Sequence, residues 1–397
     1  MTPVAANTLE DIFRVLRRRP DVEAPNLQAW DATDRLLLET AVQVGRAGSK
    51  ITVIGDRYGA LTLGASAVLA PASLRVHQDL ITGERALRLN AAALAGEDGH
   101  PPRPAGPDAA HAGNGFVQLP LGPELLAGAD TVLLQLPKTL AELEEIAALV
   151  ARHAAPGVRL LAGGRVKHMS LGMNAVLERY FVSVQPQLAR QKSRILLACG
   201  PRQVTTSPRF PVVEHLAELD LDVAAHGAVF AGPRLDIGTR FLLTFLPAMK
   251  PASHAVDLGC GTGILAAMYA RQFPAASVTA TDQSAAAVQS ALATARANGL
   301  ADRITVLQDD ALSTFPDGTV ETVLLNPPFH VGAGVHAGAG LKMIGAAGRV
   351  LAPGGELWTV FNRHLAYLPA LERLVGPTDV EGRNAKFTVT RSRRATH

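Results

Sequence analysis

Two stretches of the chain copy one another. Asp31-Ala-Thr-Asp-Arg-Leu-Leu-Leu38 matches Asp236-Ile-Gly-Thr-Arg-Phe-Leu-Leu243, and each stands shortly before an apolar strand and a glycine turn. Gly55 and Gly59 then fall opposite Gly259 and Gly263, and Leu133-Leu-Gln-Leu-Pro-Lys138 falls opposite Leu324-Leu-Asn-Pro-Pro-Phe329. A fixed order of matching segments restricts the chain to one fold used twice. In both halves strands alternate with helices, so each copy is expected to be an α/β unit with a parallel sheet and helices on both faces. The expected division is 1–199, a linker over 200–225, and 226–397.

In the first half the spacing predicts a helix over 9–19 that Pro20 stops, and another over Leu27–Leu38. The Gly/Pro/Ala-rich stretch 94–114 reads as a loop, and Lys386–Thr390 as an edge strand. The two copies differ where chemistry would need them to agree. Val53 stands for Asp257, Arg57 for Gly261, Gln135 for Asn326 and Lys138 for Phe329. An arginine where a ligand must approach the backbone obstructs it. The first copy therefore reads as degenerate, either a platform for substrate recognition or a support for its neighbour.

The second copy keeps a complete set. Strand His254–Leu258 runs into Gly259-Cys-Gly-Thr-Gly263 and a helix, whose glycines and unpaired N–H groups suit close approach of a ligand. Ile264 breaks the G-x-G-x-x-G pattern of a pyrophosphate site. Asp257 before the turn suits an amino group instead, and S-adenosylmethionine fits. The next strand ends at Asp282, placed for ribose hydroxyls, and a third ends at Asp310, placed for the adenine amine. Asp236, Gly238 and Thr239 open the preceding helix, where they suit the methionine carboxylate or simple N-capping by Asp236. A fourth strand stops at Asn326-Pro327-Pro328-Phe329, since neither proline can donate to a ladder. The Asn326 side-chain oxygen and the Pro327 carbonyl can each accept an N–H from an exocyclic amine, while Phe329 lies against a ring. The alternative is a strand followed by a proline-rich turn. His330 follows, more often a structural neighbour than a catalyst.

With 397 residues the chain can bury two cores. No apolar run approaches the length of a bilayer span, and the N-terminus lacks a signal-peptide layout. With just Cys199 and Cys260 present, a disulfide framework or zinc cluster is excluded. A cytoplasmic protein with no metal and no membrane partner is expected. Its oligomeric state is left open, a monomer being compatible. The net charge of +3 is mild, but Arg14, Arg17, Arg18 and Arg19 cluster early, and Arg383, Lys386, Arg391, Arg393 and Arg394 late. Each cluster is either a solvated face or a set of phosphate contacts.

The second half resembles a class I S-adenosylmethionine-dependent methyltransferase, with the Asn-Pro-Pro-Phe of the amino-group methylators. The doubled, Rossmann-like architecture with a degenerate first domain resembles the bacterial ribosomal RNA guanine-N2 methyltransferases. Leu27-Gln-Ala-Trp-Asp-Ala, Asn362-Arg-His-Leu and Asn384-Ala-Lys-Phe are similar to the large-subunit (23S) enzyme more than to its 16S relative. The resemblance implies methyl transfer to N2 of a guanine in 23S rRNA. Still open are 16S rRNA, an adenine N6 or a glutamine amide as targets, and an RNA-binding assembly factor that keeps the fold without catalysis.

Overall fold

The computed structural model describes residues 3–45, 48–96, 115–328 and 336–395. Most of the 94–114 loop, Phe329 and His330 lie outside the described residues. The chain divides into two units, Met1–Arg209 and Phe210–His397.

The first unit opens with α1 (Pro3–Val15), α2 (Ala32–Val44), β1 (Lys50–Ile54), α3 (Ala60–Leu69), β2 (Ser73–His77) and α4 (Ile81–Leu94). It continues with β3 (Val117–Gln118), α5 (Pro123–Leu126), β4 (Thr131–Gln135), α6 (Leu140–His153) and β5 (Arg159–Arg165). The last elements are α7 (Leu171–Tyr180), β6 (Phe181–Pro186) and β7 (Ser193–Pro201). The second unit begins with the hairpin β8 (Val212–Leu216) and β9 (Leu221–Ala225), then α8 (Ile237–Leu243), β10 (His254–Leu258), α9 (Ile264–Gln272) and β11 (Ser277–Asp282). Then come α10 (Ala285–Ala297), β12 (Ile304–Gln308), β13 (Val320–Leu325), α11 (His336–Val350), β14 (Leu351–Asn362), α12 (Leu368–Leu374), β15 (Thr378–Arg383) and β16 (Phe387–Arg393).

The sheet orders are β3-β2-β1-β4-β5-β7-β6 and β12-β11-β10-β13-β14-β16-β15, the same order used twice. Both sheets are mixed rather than wholly parallel, because β7 and β16 run antiparallel to their neighbours on either side. The central strands read as continuous apolar runs because both their faces are covered. In β10, Ala255 and Val256 point to opposite faces and both are fully buried, one among α9 and α10 residues, the other among α11 residues.

Other expectations shift. Helix α1 begins earlier and stops at Val15, leaving Arg17 to donate its backbone N–H to Asn90. Helix α2 begins at Ala32 rather than Leu27, because Asp31 and Asp34 close a reciprocal capping box there. The expected linker 200–225 contains β8 and β9. Leu221 and Val223 are fully buried, and Asn298 both donates to and accepts from the Asp222 backbone. The final strand is interior. The edge is β15, whose Thr-Asp-Val-Glu-Gly-Arg sequence carries no apolar signal. The late basic cluster is largely structural, since Arg391 pairs with Asp379 and Glu381, Arg393 pairs with Asp379, and Arg394 donates to the Arg349 and Leu351 carbonyls.

Candidate active site

Parallel register brings the strand ends level. Leu258 lies opposite both Thr281 and Leu325, so Gly259 emerges between Asp282 and Asn326, and Asp282 lies opposite Gln308. Asp257, Asp282, Asp310 and Asn326 therefore share the carboxyl edge of one sheet, where open α/β sheets bind ligands.

The three glycines of the turn all have positive φ, but each for a different reason. A Cβ on Gly259 would meet Met343 Cε at 2.8 Å, and one on Gly263 would meet Ala291 at 3.0 Å. Those two permit packing of α11 and α10. At Gly261 a Cβ would meet nothing within 4 Å. That glycine faces room for a ligand, and its N–H donates to Asp282 Oδ2 at 3.0 Å, fixing the turn to the carboxylate.

Asp257 is 1% exposed. Its Oδ2 accepts from Ala266 N at 2.9 Å, capping α9 from the strand, and its Oδ1 is buried without a hydrogen-bond partner. Burial pushes this carboxyl up to about 7; the Ala266 N–H opposes the rise and nearby Asp282 adds to it.

Asp236 is the N-cap of α8, its Oδ2 accepting from Gly238 N at 2.9 Å and Thr239 N at 3.1 Å. Of the two readings open for this trio, capping is what the structure contains, and it uses both N–H groups. The same Oδ2 also accepts from Asn326 Nδ2 at 3.0 Å, and Thr239 Oγ1 accepts from that nitrogen at 2.8 Å. A flipped amide would turn its oxygen towards a carboxylate, so Asp236 fixes the rotamer. Asn326 Oδ1 is left buried with no partner. Pro327 is buried and Pro328 exposed. Asp310 reaches the edge as expected, but Lys342 Nζ from α11 donates to both its oxygens at 2.6 Å. Nothing in the sequence marks Lys342, which reads as one charge on an amphipathic helix.

The first unit shows the same edge filled by its own side chains. Asp56, three residues after Val53, takes over the cap by accepting from Gly59 N, Thr62 N and Thr62 Oγ1. Gln78 stands where Asp282 does and is buried, donating to the Asp56 and Gly83 carbonyls. Gln135 donates to Asp34, so the link from strand end to helix start survives in both copies.

Residues 5–203 match the RLMG N-terminal domain, and residues 220–391 match the Methyltransferase small domain. A ribosomal RNA large subunit methyltransferase G from Pseudomonas paraeruginosa is 37% identical over 95% of this chain and 96% of its own. The chain belongs to the ribosomal RNA large subunit methyltransferase G family. A relative with that name from Pseudomonas syringae pv. tomato is 36% identical over 96% of this chain and 97% of its own. The 16S rRNA N2 methyltransferase RsmC of T. thermophilus, solved with AdoMet and guanosine, superposes with a TM-score of 0.72, covering 96% of this chain and 99% of its own. At 19% identity that likeness establishes the doubled fold. Within the methyltransferase G family, then, the C-terminal unit is the methyltransferase domain. Open space at Gly261 and two unpartnered buried oxygens, on Asp257 and Asn326, fit a nucleoside cofactor with an amino group and a substrate amine beside it. Among the described residues, no helix is long and apolar enough to cross a membrane, and no cluster of His, Cys, Asp or Glu could hold a metal ion.

Proposed function

We propose that this chain methylates the exocyclic N2 of a guanine in 23S rRNA, in the cytoplasm, with S-adenosylmethionine as donor. The observation that carries the reading is Asn326 Oδ1, aimed and unpartnered at the end of a strand that prolines terminate. Guanine N2 is a weak nucleophile because its lone pair is delocalised into the ring. Acceptance of its two N–H bonds by Asn326 Oδ1 and the Pro327 carbonyl localises the pair, and Phe329 stacks on a base taken out of its RNA context. The bound cofactor supplies an electrophilic methyl group on a sulfonium. Asp257 receives its ammonium, Asp282 its ribose hydroxyls and Asp310 its adenine amine, while Gly259, Gly261 and Gly263 shape the turn. Positioning and electrostatics then supply most of the rate.

The first unit, its own edge filled, serves as the RNA platform. A cleft of about 690 Å³ there is lined by Arg14, Arg17, Arg18, Phe13 and Trp30, among others. The two rings stack at 4.6 Å, and Arg14 and Arg17 hold exposed carboxylate pairs that a phosphate can replace, while Arg18 is tied to Asp21 and to the Val22 and Gln28 carbonyls.

The test is transfer from labelled S-adenosylmethionine to 16S rRNA, 23S rRNA, both subunits and a release factor, all from cells lacking this protein. N2-methylguanosine in 23S rRNA is the expected product. Label in 16S rRNA would move the target, and label in protein or as N6-methyladenine would overturn the substrate. No label with cofactor bound would leave an assembly factor.

Two further outcomes are expected. Gly261→Ala should cost about 1 kcal/mol of stability for its left-handed backbone, yet weaken cofactor binding about tenfold, its methyl intruding on the ligand's contact with the turn. Gly263→Ala should lose more stability, since its methyl meets Ala291. Thermal melts and calorimetric titration separate the two. The pH dependence follows from Asp257, whose carboxyl is raised to about 7. Folding favours its protonated form, so its contribution to stability is full below the ordinary carboxylate range and is lost as pH rises to about 7. An ammonium docked against it favours the ionised form. Cofactor affinity should therefore rise about tenfold between pH 5.5 and 7, and Asp257→Asn should abolish the rise.

A further inference from the structure

The contact between Asp310 and Lys342 places an ammonium where the proposed function places the adenine amine. Asp310 Oδ1 and Oδ2 both accept from Lys342 Nζ at 2.6 Å, with the Asp310 side chain 11% exposed and that of Lys342 48% exposed. An adenine amine offers a neutral donor to the same oxygens, and with the Asp310 side chain only 11% exposed the two donors compete for one small accessible face. Lys342 cannot simply drift away with its helix. Its neighbour Met343 packs over Gly259, and Gly340 and Gly348 of α11 sit so close to Tyr367 and to the Leu374 carbonyl that a Cβ at either would lie within 2.1 Å. The helix is seated, so the side chain alone must move. Four methylenes let it swing outward while α11 stays in place. It then presents a desolvation-free positive charge at the mouth of a site whose substrate is a polyanion.

We propose that Lys342 is a cofactor-gated contact to the RNA backbone: it guards Asp310 before the cofactor binds, and adenine displaces it onto a substrate phosphate. The proposal rests on the reading of Asp310 as the adenine acceptor and of RNA as substrate. It couples the two ligands without any motion of the fold. Cofactor binding releases the ammonium, and the ammonium then strengthens RNA binding; by linkage RNA tightens the cofactor equally. At the neighbouring strand ends, Asp257 and Asp282 accept from backbone N–H groups, which stay with the fold and cannot be handed on to a second ligand.

The direction of effect separates this from a structural ion pair. Lys342→Met should bind S-adenosylhomocysteine about two- to fivefold more tightly than wild type, the worth of a partly exposed pair. Added salt should tighten S-adenosylhomocysteine binding to wild type by screening the pair, and leave Lys342→Met unchanged. With transcribed 23S rRNA as probe, S-adenosylhomocysteine should raise RNA affinity in wild type and in Lys342→Arg, but not in Lys342→Met. Unchanged or weaker S-adenosylhomocysteine binding by Lys342→Met would overturn the gate. Asp310→Ala, which removes the acceptor altogether, locates the fault: normal S-adenosylhomocysteine affinity there would show that Asp310 is not the adenine acceptor and end the proposal with that reading. If Asp310→Ala weakens binding while Lys342→Met does not tighten it, the adenine site stands and the exchange falls. Wild type that fails to bind the transcript at all would remove the RNA reading, and with it the phosphate half of the exchange.

Discussion

Asn326→Ala should lower kcat about 1,000-fold while leaving cofactor affinity within about twofold of wild type. The structure gives each half of that expectation its reason. The deleted oxygen is buried, has no protein partner, and is held at one angle by Asp236 and Thr239. It belongs to no network that folding needs. Its loss removes a preorganised acceptor from the amine at the moment the nitrogen lone pair is drawn towards the methyl group. The cofactor's expected contacts, through Asp257, Asp282, Asp310 and the glycine turn, lie on other strand ends and survive. Stability should fall by about 1 kcal/mol, since the lost partner is a donor to Asp236, which keeps both helix N–H groups. Single-turnover rates with saturating cofactor and 23S rRNA measure the first effect, and equilibrium titration of S-adenosylhomocysteine measures the second. Wild-type turnover by this variant would remove Asn326 from the chemistry.

The second unit was legible because its central strands are buried on both faces and its candidate ligand-binding residues stand at their ends. His254–Leu258 was bounded from sequence as the structure bounds it, and the helix expected after Gly263 is Ile264–Gln272, the glycines marking the change from strand to helix. Polar edge strands were not legible. Thr378–Arg383 and Val212–Leu216 bury little and are defined by pairing with a neighbour, which leaves no periodic trace. The decay of the first copy was legible in kind but not in mechanism. Position-by-position comparison found Val53 where Asp257 stands, whereas the carboxylate had moved to Asp56 and capped the same helix from the turn. Lys342 was invisible for a related reason. Its partner lies 32 residues away, and helical spacing says which face a lysine occupies, never which carboxylate it meets.

Asp236 is where sequence and structure together give the sharper result. Capping and cofactor binding were the two roles the sequence offered, and the structure adds a third, orientation of an amide 90 residues away. The roles separate by substitution. Thr239→Val keeps the shape of the side chain and the cap but removes one acceptor of Asn326 Nδ2, so kcat should fall about tenfold with no change in cofactor KM. Asp236→Ala removes the cap and the other acceptor together. It should cost about 1 kcal/mol of stability and lower kcat about 100-fold, because the amide can then rotate and present its NH2 to the substrate amine, donor against donor. If Gly238 and Thr239 instead bound the cofactor carboxylate through their N–H groups, Asp236→Ala would free those groups, and cofactor KM would drop. A fall in kcat at constant cofactor KM is the signature of orientation. A lower cofactor KM at near-normal kcat would give the Gly238 and Thr239 N–H groups to the cofactor and leave Asn326 without its guide. The surviving Gln135–Asp34 link in the first unit argues for the former, since that copy keeps the strand-to-helix tie after filling its ligand edge.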